Sequence, residues 1–185
     1  MTHSIILVEL VVFLSFIVGF NLRRKLKSRD PFGEFPIQPR LFKIGKFSMG
    51  VSWFFLFVHA AGFNLNLFRV PAALDCVAAL LVLVGLAFSI PPFFRLGDGS
   101  RFGLPRESIE IRTAGIYGIS RNPMYLGFYL ITIASLVSVP NPINVCSGLA
   151  GILLHHRIVL AEERFLLSEY GTSYEAYMKR VRRYL

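Results

Sequence analysis

Apolar residues fill five blocks of this chain, and polar and charged residues collect between them. The first block is roughly Ile5–Leu22, broken only by Glu9, and the second runs from about Phe47 to Phe68. The third covers about Ala72–Phe94, the fourth Pro123 to about Val139, and the fifth about Ile143–Leu160. Each is long enough, or nearly so, to cross ~30 Å of hydrocarbon as a helix rising 1.5 Å per residue. The pattern predicts an all-α, polytopic membrane protein with five transmembrane helices. Between the last two blocks, VPNPIN carries Pro140 and Pro142, which bar helix continuation, so these blocks form a tight helical hairpin.

Past the fifth block the spacing changes. Gly171 is expected to stop one helix, and Thr172 with Glu175 fits a capping box for the next. Tyr174, Tyr177, Met178, Val181 and Leu185 then recur at helical spacing, with Lys179, Arg180, Arg182 and Arg183 between them. This predicts a C-terminal amphipathic helix lying on the bilayer or folded over a site.

Composition agrees with the pattern: 54% of the 185 residues are hydrophobic, and the mean hydropathy is +0.57. A net charge of +9 could suggest nucleic acid, but the basic residues lie between apolar blocks, so anionic lipid headgroups are the better partner. Nineteen of the twenty Lys and Arg residues fall in 23–46, 95–121 and 157–183, and only Arg69 lies between the second and third blocks. The positive-inside rule makes the crowded side cytoplasmic, with the N-terminus out and the C-terminus in. No Lys or Arg precedes the first apolar run, as expected of a spanning helix and not of a signal peptide. The basic stretch 23–46, with the irregular PFGEFPIQP, reads as a headgroup-binding arm.

The chain then divides into a three-helix membrane region, 1–94, and a region 95–185 that holds the candidate chemistry. Cys76 and Cys146 show no metal or disulfide spacing and read as small core residues. No metal site is expected, and His3 and His59 have no discernible partner. Asp75 reads as an outer-interface residue. Phosphate-loop, dinucleotide, zinc-protease and nucleophile-elbow motifs are missing, which excludes the common soluble nucleotide and hydrolase designs.

Residues 118–129, GISRNPMYLGFY, hold the first chemical candidate. Pro123 is suited to a first helical turn, Asn122 or Ser120 could cap it, and Arg121 could anchor to phosphate. The preceding ESIEIRTAGIYGIS is polar enough to line a wet cavity, with Gly115 and Gly118 flanking Tyr117. Glu162 and Glu163 follow where the fifth helix leaves the membrane, and the hairpin returns them to the face that carries Arg121. Opposite charges therefore converge. His155 and His156 point about 100° apart on a helix, which disfavours joint chelation, and read as interfacial residues, one of them able to line the site.

GIYGISRNPMYLG followed by EERFLLSEYGTSYEAYMKRVRRYL resembles the isoprenylcysteine carboxyl methyltransferase and phospholipid methyltransferase family of membrane enzymes. The matching residues are Gly115, Tyr117, Arg121, Pro123, Tyr125, Gly127, Glu162, Glu163, Gly171, Tyr174 and Tyr177. Asn122 stands where the family often has histidine. Ile158 stands where carboxyl methylators carry an arginine, with Arg157 adjacent. The resemblance implies methyl transfer from S-adenosylmethionine at the cytoplasmic face. The acceptor would be lipidic or small: an isoprenylcysteine-like carboxylate, an amine headgroup or a thiol. It implies cofactor contacts from Tyr117, Arg121, Asn122, Pro123, Tyr125, Gly127, Glu162 and Glu163, and catalytic roles for Arg121, Arg157 and Glu162. A sterol-type reductase using NADPH, whose C-terminal half looks similar, and a non-catalytic lipid-binding scaffold are the alternatives.

Overall fold

The computed structural model describes residues 2–26, 35–96 and 113–185, and every regular element among them is helical. In chain order these are α1 (Thr2–Leu26), α2 (Pro39–Ala60), α3 (Ala72–Leu96), a 3₁₀ turn (Gly115–Gly118), α4 (Pro123–Ser138), α5 (Pro142–Tyr170) and α6 (Thr172–Arg180). Four helices, α1, α2, α3 and α5, are long and apolar enough to cross a membrane. The fourth apolar block forms a helix of only 16 residues, about 24 Å long.

Several boundaries differ from the expectation. The second block is not helical over Phe47–Phe68: α2 starts eight residues earlier, with Pro39 in its first turn, and stops at Ala60 before Gly62 at φ 97°. Hydropathy marks where apolar residues lie, not where helical hydrogen bonds begin. The charges at the start of α2 are no obstacle, since Lys43 is exposed and the Lys46 ammonium sits 4.7 Å from the Phe42 ring. Residues 39–46 of the supposed arm are therefore helix, whereas 27–34 lie outside the described residues. Cys76 and Cys146 are exposed on the outer surface and are not core residues. A lipid-facing position suits a small apolar thiol as well as a core one does.

The hairpin forms as the prolines dictate. Pro142 occupies the first turn of α5, and Asn141 caps it by accepting from the Ile143 amide at 3.0 Å. At the other end of α5, Gly171 adopts φ 52°, a conformation that favours glycine, and turns the chain into α6. Gly171 itself is the N-cap of α6. Thr172 lies one position inside and makes no capping bond, so the expected capping box is not formed. The helix also ends at Arg180, with Val181 extended and 181–185 in no regular element.

Without a large hydrophobic driving force between helices in lipid, close approach and buried hydrogen bonds set the packing. A side chain at Gly127 of α4 would collide with the Gly85 carbonyl and with Ser89 of α3. One at Gly151 of α5 would meet the Met49 backbone of α2 at 3.0 Å. Asn144 of α5 donates to the Ser135 carbonyl (3.1 Å) and the Val139 carbonyl (2.7 Å) and accepts from the Ser52 hydroxyl (2.7 Å), joining α2, α4 and α5. Phe13, Trp53 and Phe128 meet edge to face, with centroids 5.3–6.2 Å apart, and bring in α1. Ile5, Val8, Val12, Phe54, Leu80, Leu83 and Leu153 remain exposed on the outside, where a bilayer would cover them.

Gly127→Val forces α3 and α4 apart and is expected to cost about 1–3 kcal/mol or more. Gly19→Ala on α1, which has nothing within 4 Å, is the matched control. Thermal unfolding in detergent, followed by Trp53 fluorescence, should show a lowered midpoint for the first variant only. An unchanged midpoint for Gly127→Val refutes the close-crossing account.

Candidate active site

α4 begins and α5 ends at the same end of the bundle, because the hairpin between them is tight. Arg121 and Asn122 therefore stand opposite Glu163. The Glu163 carboxylate is 4% exposed and the Arg121 side chain 7%. Arg121 donates from Nε to Glu163 Oε1 at 3.1 Å, with Nη2 at 3.0 Å from the same oxygen. Asn122 Nδ2 donates to that oxygen at 2.8 Å, and Arg183 Nε to Oε2 at 2.9 Å. A carboxylate so buried is tolerable only with such compensation.

The same residues clamp the C-terminal tail. Arg121 Nη1 donates to the carbonyls of Met178 (3.2 Å) and Val181 (2.6 Å). The backbone amides of Arg121 and Asn122 donate to the carbonyls of Arg182 (3.0 Å) and Arg183 (3.2 Å). Ser120 Oγ donates to the Arg183 carbonyl at 3.1 Å. The tail thus pairs with 120–122 along its backbone and does not continue α6. Asn122 is the N-cap residue of α4 by position, but its side chain serves Glu163 and the Arg183 carbonyl (3.3 Å) instead of the helix.

Beside this cluster stands Glu162, half-buried, which accepts from the Tyr125 hydroxyl at 2.8 Å. Among the described residues that is its one hydrogen bond. His155 is buried, with its ring 6.1 Å from that of Tyr125 and its Nδ1 2.8 Å from the Gly151 carbonyl. His156 Nδ1 lies 2.7 Å from the Tyr184 hydroxyl, which is 3.4 Å from that of Tyr129. Tyr177 donates to the Tyr117 carbonyl at 2.6 Å and ties α6 to the 3₁₀ turn. Burial raises the phenols of Tyr174, Tyr177 and Tyr184, that of Tyr177 to about 12, so all three are neutral near pH 7.

Of the candidates read from the sequence, Arg121, Asn122, Tyr125, Glu162 and Glu163 are brought within one cluster, with Pro123 buried at the first turn of α4 and Tyr117 linked through α6. Gly127 is not with them: it faces Gly85 and Ser89 and serves helix packing. Arg157 is exposed, without a hydrogen bond or ion pair among the described residues, while its neighbour Ile158 is fully buried. ESIEIR of the expected polar approach, residues 107–112, lies outside the described residues. Arg183, Ser120 and Tyr184 are additions that the sequence reading missed. For Arg183 and Tyr184 the helical spacing of the tail masks the signal, and Ser120 reads from sequence as a helix cap.

A match to the sequence pattern of the phospholipid methyltransferase family covers residues 74–173, from the first turn of α3 to the start of α6. Protein-S-isoprenylcysteine O-methyltransferase from Dictyostelium discoideum is 31% identical over 77 residues. That stretch is 41% of this chain and 32% of the relative, so the likeness spans about a third of the relative's length. With more than half its length inside the family pattern, and with the hairpin and paired glutamates in place, the chain belongs to the phospholipid methyltransferase family.

Proposed function

We propose that this protein is an integral membrane methyltransferase that uses S-adenosylmethionine and acts on a lipidic or small acceptor reached from the bilayer. The observation that carries this reading is the division of labour between the two adjacent glutamates. Both oxygens of Glu163 are occupied by Arg121, Asn122 and Arg183, whereas Glu162, half-buried, accepts one hydrogen bond, from Tyr125, and feels the Lys46 ammonium through space. Glu163 then fixes the wall of the site, and Glu162 is the carboxylate left to receive a cationic group such as the cofactor's α-amine. When bound, S-adenosylmethionine supplies an electrophilic methyl group on its sulfonium.

The chain's own part is alignment and exclusion of water, which is what an in-line displacement requires. Tyr125 orients Glu162, the Tyr117 region and α6 cover the approach, and Arg121 holds the tail closed through its backbone contacts. Arg121 thereby acts as a positioning residue. Residues 95–185 supply this machinery, and 1–94 supply the lipid-facing surface past which an acceptor enters.

All five apolar helices, including the short α4, cross or enter the membrane in this reading, with the N-terminus out and the C-terminus in. The distribution of Lys and Arg supports that orientation, in which the cluster faces the cytoplasm. The relative's name speaks of isoprenylcysteine. With Ile158 buried and Arg157 exposed, this chain sets no arginine beside Glu162 from that turn of α5 to bind such a carboxylate, so an amine or thiol acceptor fits equally well.

Calorimetry of the detergent-purified protein with S-adenosylhomocysteine should give saturable binding. Glu162→Gln should weaken it at least about tenfold, the loss of one charge-assisted hydrogen bond, with an unchanged unfolding midpoint. Absence of binding alongside tight NADPH binding would overturn the reading in favour of a reductase, and absence of both would favour a scaffold.

Glu163→Ala leaves Arg121 buried without a counter-charge and should cost roughly 3–5 kcal/mol. Hydrogen exchange should quicken across residues 178–185 in this variant. Unaltered protection there contradicts the positioning role.

A further inference from the structure

At the end of the bundle remote from Arg121, three side chains from three helices meet. Asp75, in the first turn of α3, faces His3 of α1 and His59 near the end of α2. His3 Nε2 is 3.0 Å from Asp75 Oδ2, and His59 Nε2 is 3.0 Å from Oδ1. The two imidazole rings lie 4.6 Å apart, tilted by 48°. The ligand-capable atoms of the three residues all fall within 4.8 Å of one another. The sequence separates His3 from Asp75 by 72 positions and His59 by 16, so no spacing motif announces the cluster.

The charge balance at this place is unusual. The Asp75 side chain is 12% exposed and His59 only 9%, and among the described residues no lysine or arginine pairs with the carboxylate. A buried carboxylate requires a compensating positive charge. One imidazolium would suffice, yet two imidazoles present their Nε2 atoms to the two carboxylate oxygens. Two imidazole nitrogens and a carboxylate gathered within 4.8 Å is the donor set of a borderline divalent ion. In a tetrahedral site with metal–ligand bonds of about 2.0–2.1 Å, ligand atoms lie about 3.3 Å apart. The observed 3.0 Å contacts run to the two different carboxylate oxygens, so sharing one ion requires both nitrogens to shift towards a common point.

We infer that His3, His59 and Asp75 form a binding site for a divalent transition-metal ion of the zinc type, separate from the cofactor cluster. The ion ties α1 to the α2–α3 pair. His3, 42% exposed, stands at the rim and gives the ion its way in. The buried Ser138 hydroxyl, at the end of α4, lies beside Asp75 without a well-formed hydrogen bond and can complete the coordination, directly or through water. The three ligands come from elements that alternate in direction, so a bound ion fastens this end of the bundle as Glu163 fastens the other.

The full chain, carrying no polyhistidine tag, is stripped with chelator in detergent and titrated with Zn²⁺ by calorimetry. One ion per chain and a raised unfolding midpoint are expected. Direct ligands should matter more than supporting groups, whose loss typically costs 10–100-fold in affinity. His3→Gln and Asp75→Asn should each therefore weaken binding by at least about 100-fold. His3 is partly exposed, so its variant tests the site even where Asp75→Asn disturbs folding. His156→Gln, at the other end, should bind zinc like the parent. Lack of saturable binding in the parent, or affinity that survives both ligand variants, reduces the cluster to a hydrogen-bonded staple. Loss of binding in His156→Gln alone places the ion elsewhere and overturns the inference.

Discussion

A single buried carboxylate, that of Glu163, organises the whole end of the bundle where the candidate chemistry lies. Its charge is met by Arg121 at 3.0 Å and by Arg183 at 2.9 Å, and Asn122 adds a neutral donor. These groups come from the start of α4 and from the tail beyond α6, so neutralising one charge fixes three segments at once. Because Arg121 also donates to the carbonyls at the end of α6, the ion pair and the tail's path are one structure. Burial gives the pair its strength and also makes it costly to break, since any partner left alone would be a charge away from water.

Neighbouring residues on one helix therefore have different fates. Glu163 is spent inside the protein, and Glu162, one residue earlier and about 100° round the helix, turns to Tyr125 and the half-buried space beside it. Adjacent glutamates would repel if both were ionised and unpaired. Compensation of Glu163 by two arginines leaves Glu162 to Tyr125 and to the charge of Lys46. Asn122 is likewise taken up inside the chain, its amide donating to Glu163 at 2.8 Å.

Much of this was legible in the residue order. Pro123, Pro142 and Gly171 each punctuate the chain where expected, and the hairpin that brings Arg121 towards the glutamates follows from Pro140 and Pro142 alone. The start of α2 was not legible, because Lys43 and Lys46 dilute the apolar signal over a segment that is nonetheless helical. The path of the tail is not legible because Val181 and Leu185 keep a helical spacing after the helix has ended. Its path is decided by carbonyls accepting from Arg121, a tertiary effect with no periodicity. Gly127 fits a family motif that implies a cofactor contact, and in the fold its small size is used against α3. His3 and Asp75 were beyond sequence reading for a simpler reason: only the fold brings α1 beside the start of α3.

The shortness of α4 has a further consequence for how a membrane would meet this molecule. Its 16 residues span about 24 Å, less than the ~30 Å of an average hydrocarbon layer, while α5 runs on for 29 residues. On the five-span reading this mismatch draws the headgroup plane inward around α4, thinning the leaflet locally. Arg121 and Asn122, at the mouth of that helix, then sit at the bottom of a dimple in the bilayer surface. On the proposed reading, an acceptor with a greasy tail would reach Glu162 by sliding along the leaflet, without its reactive end being lifted into the aqueous phase.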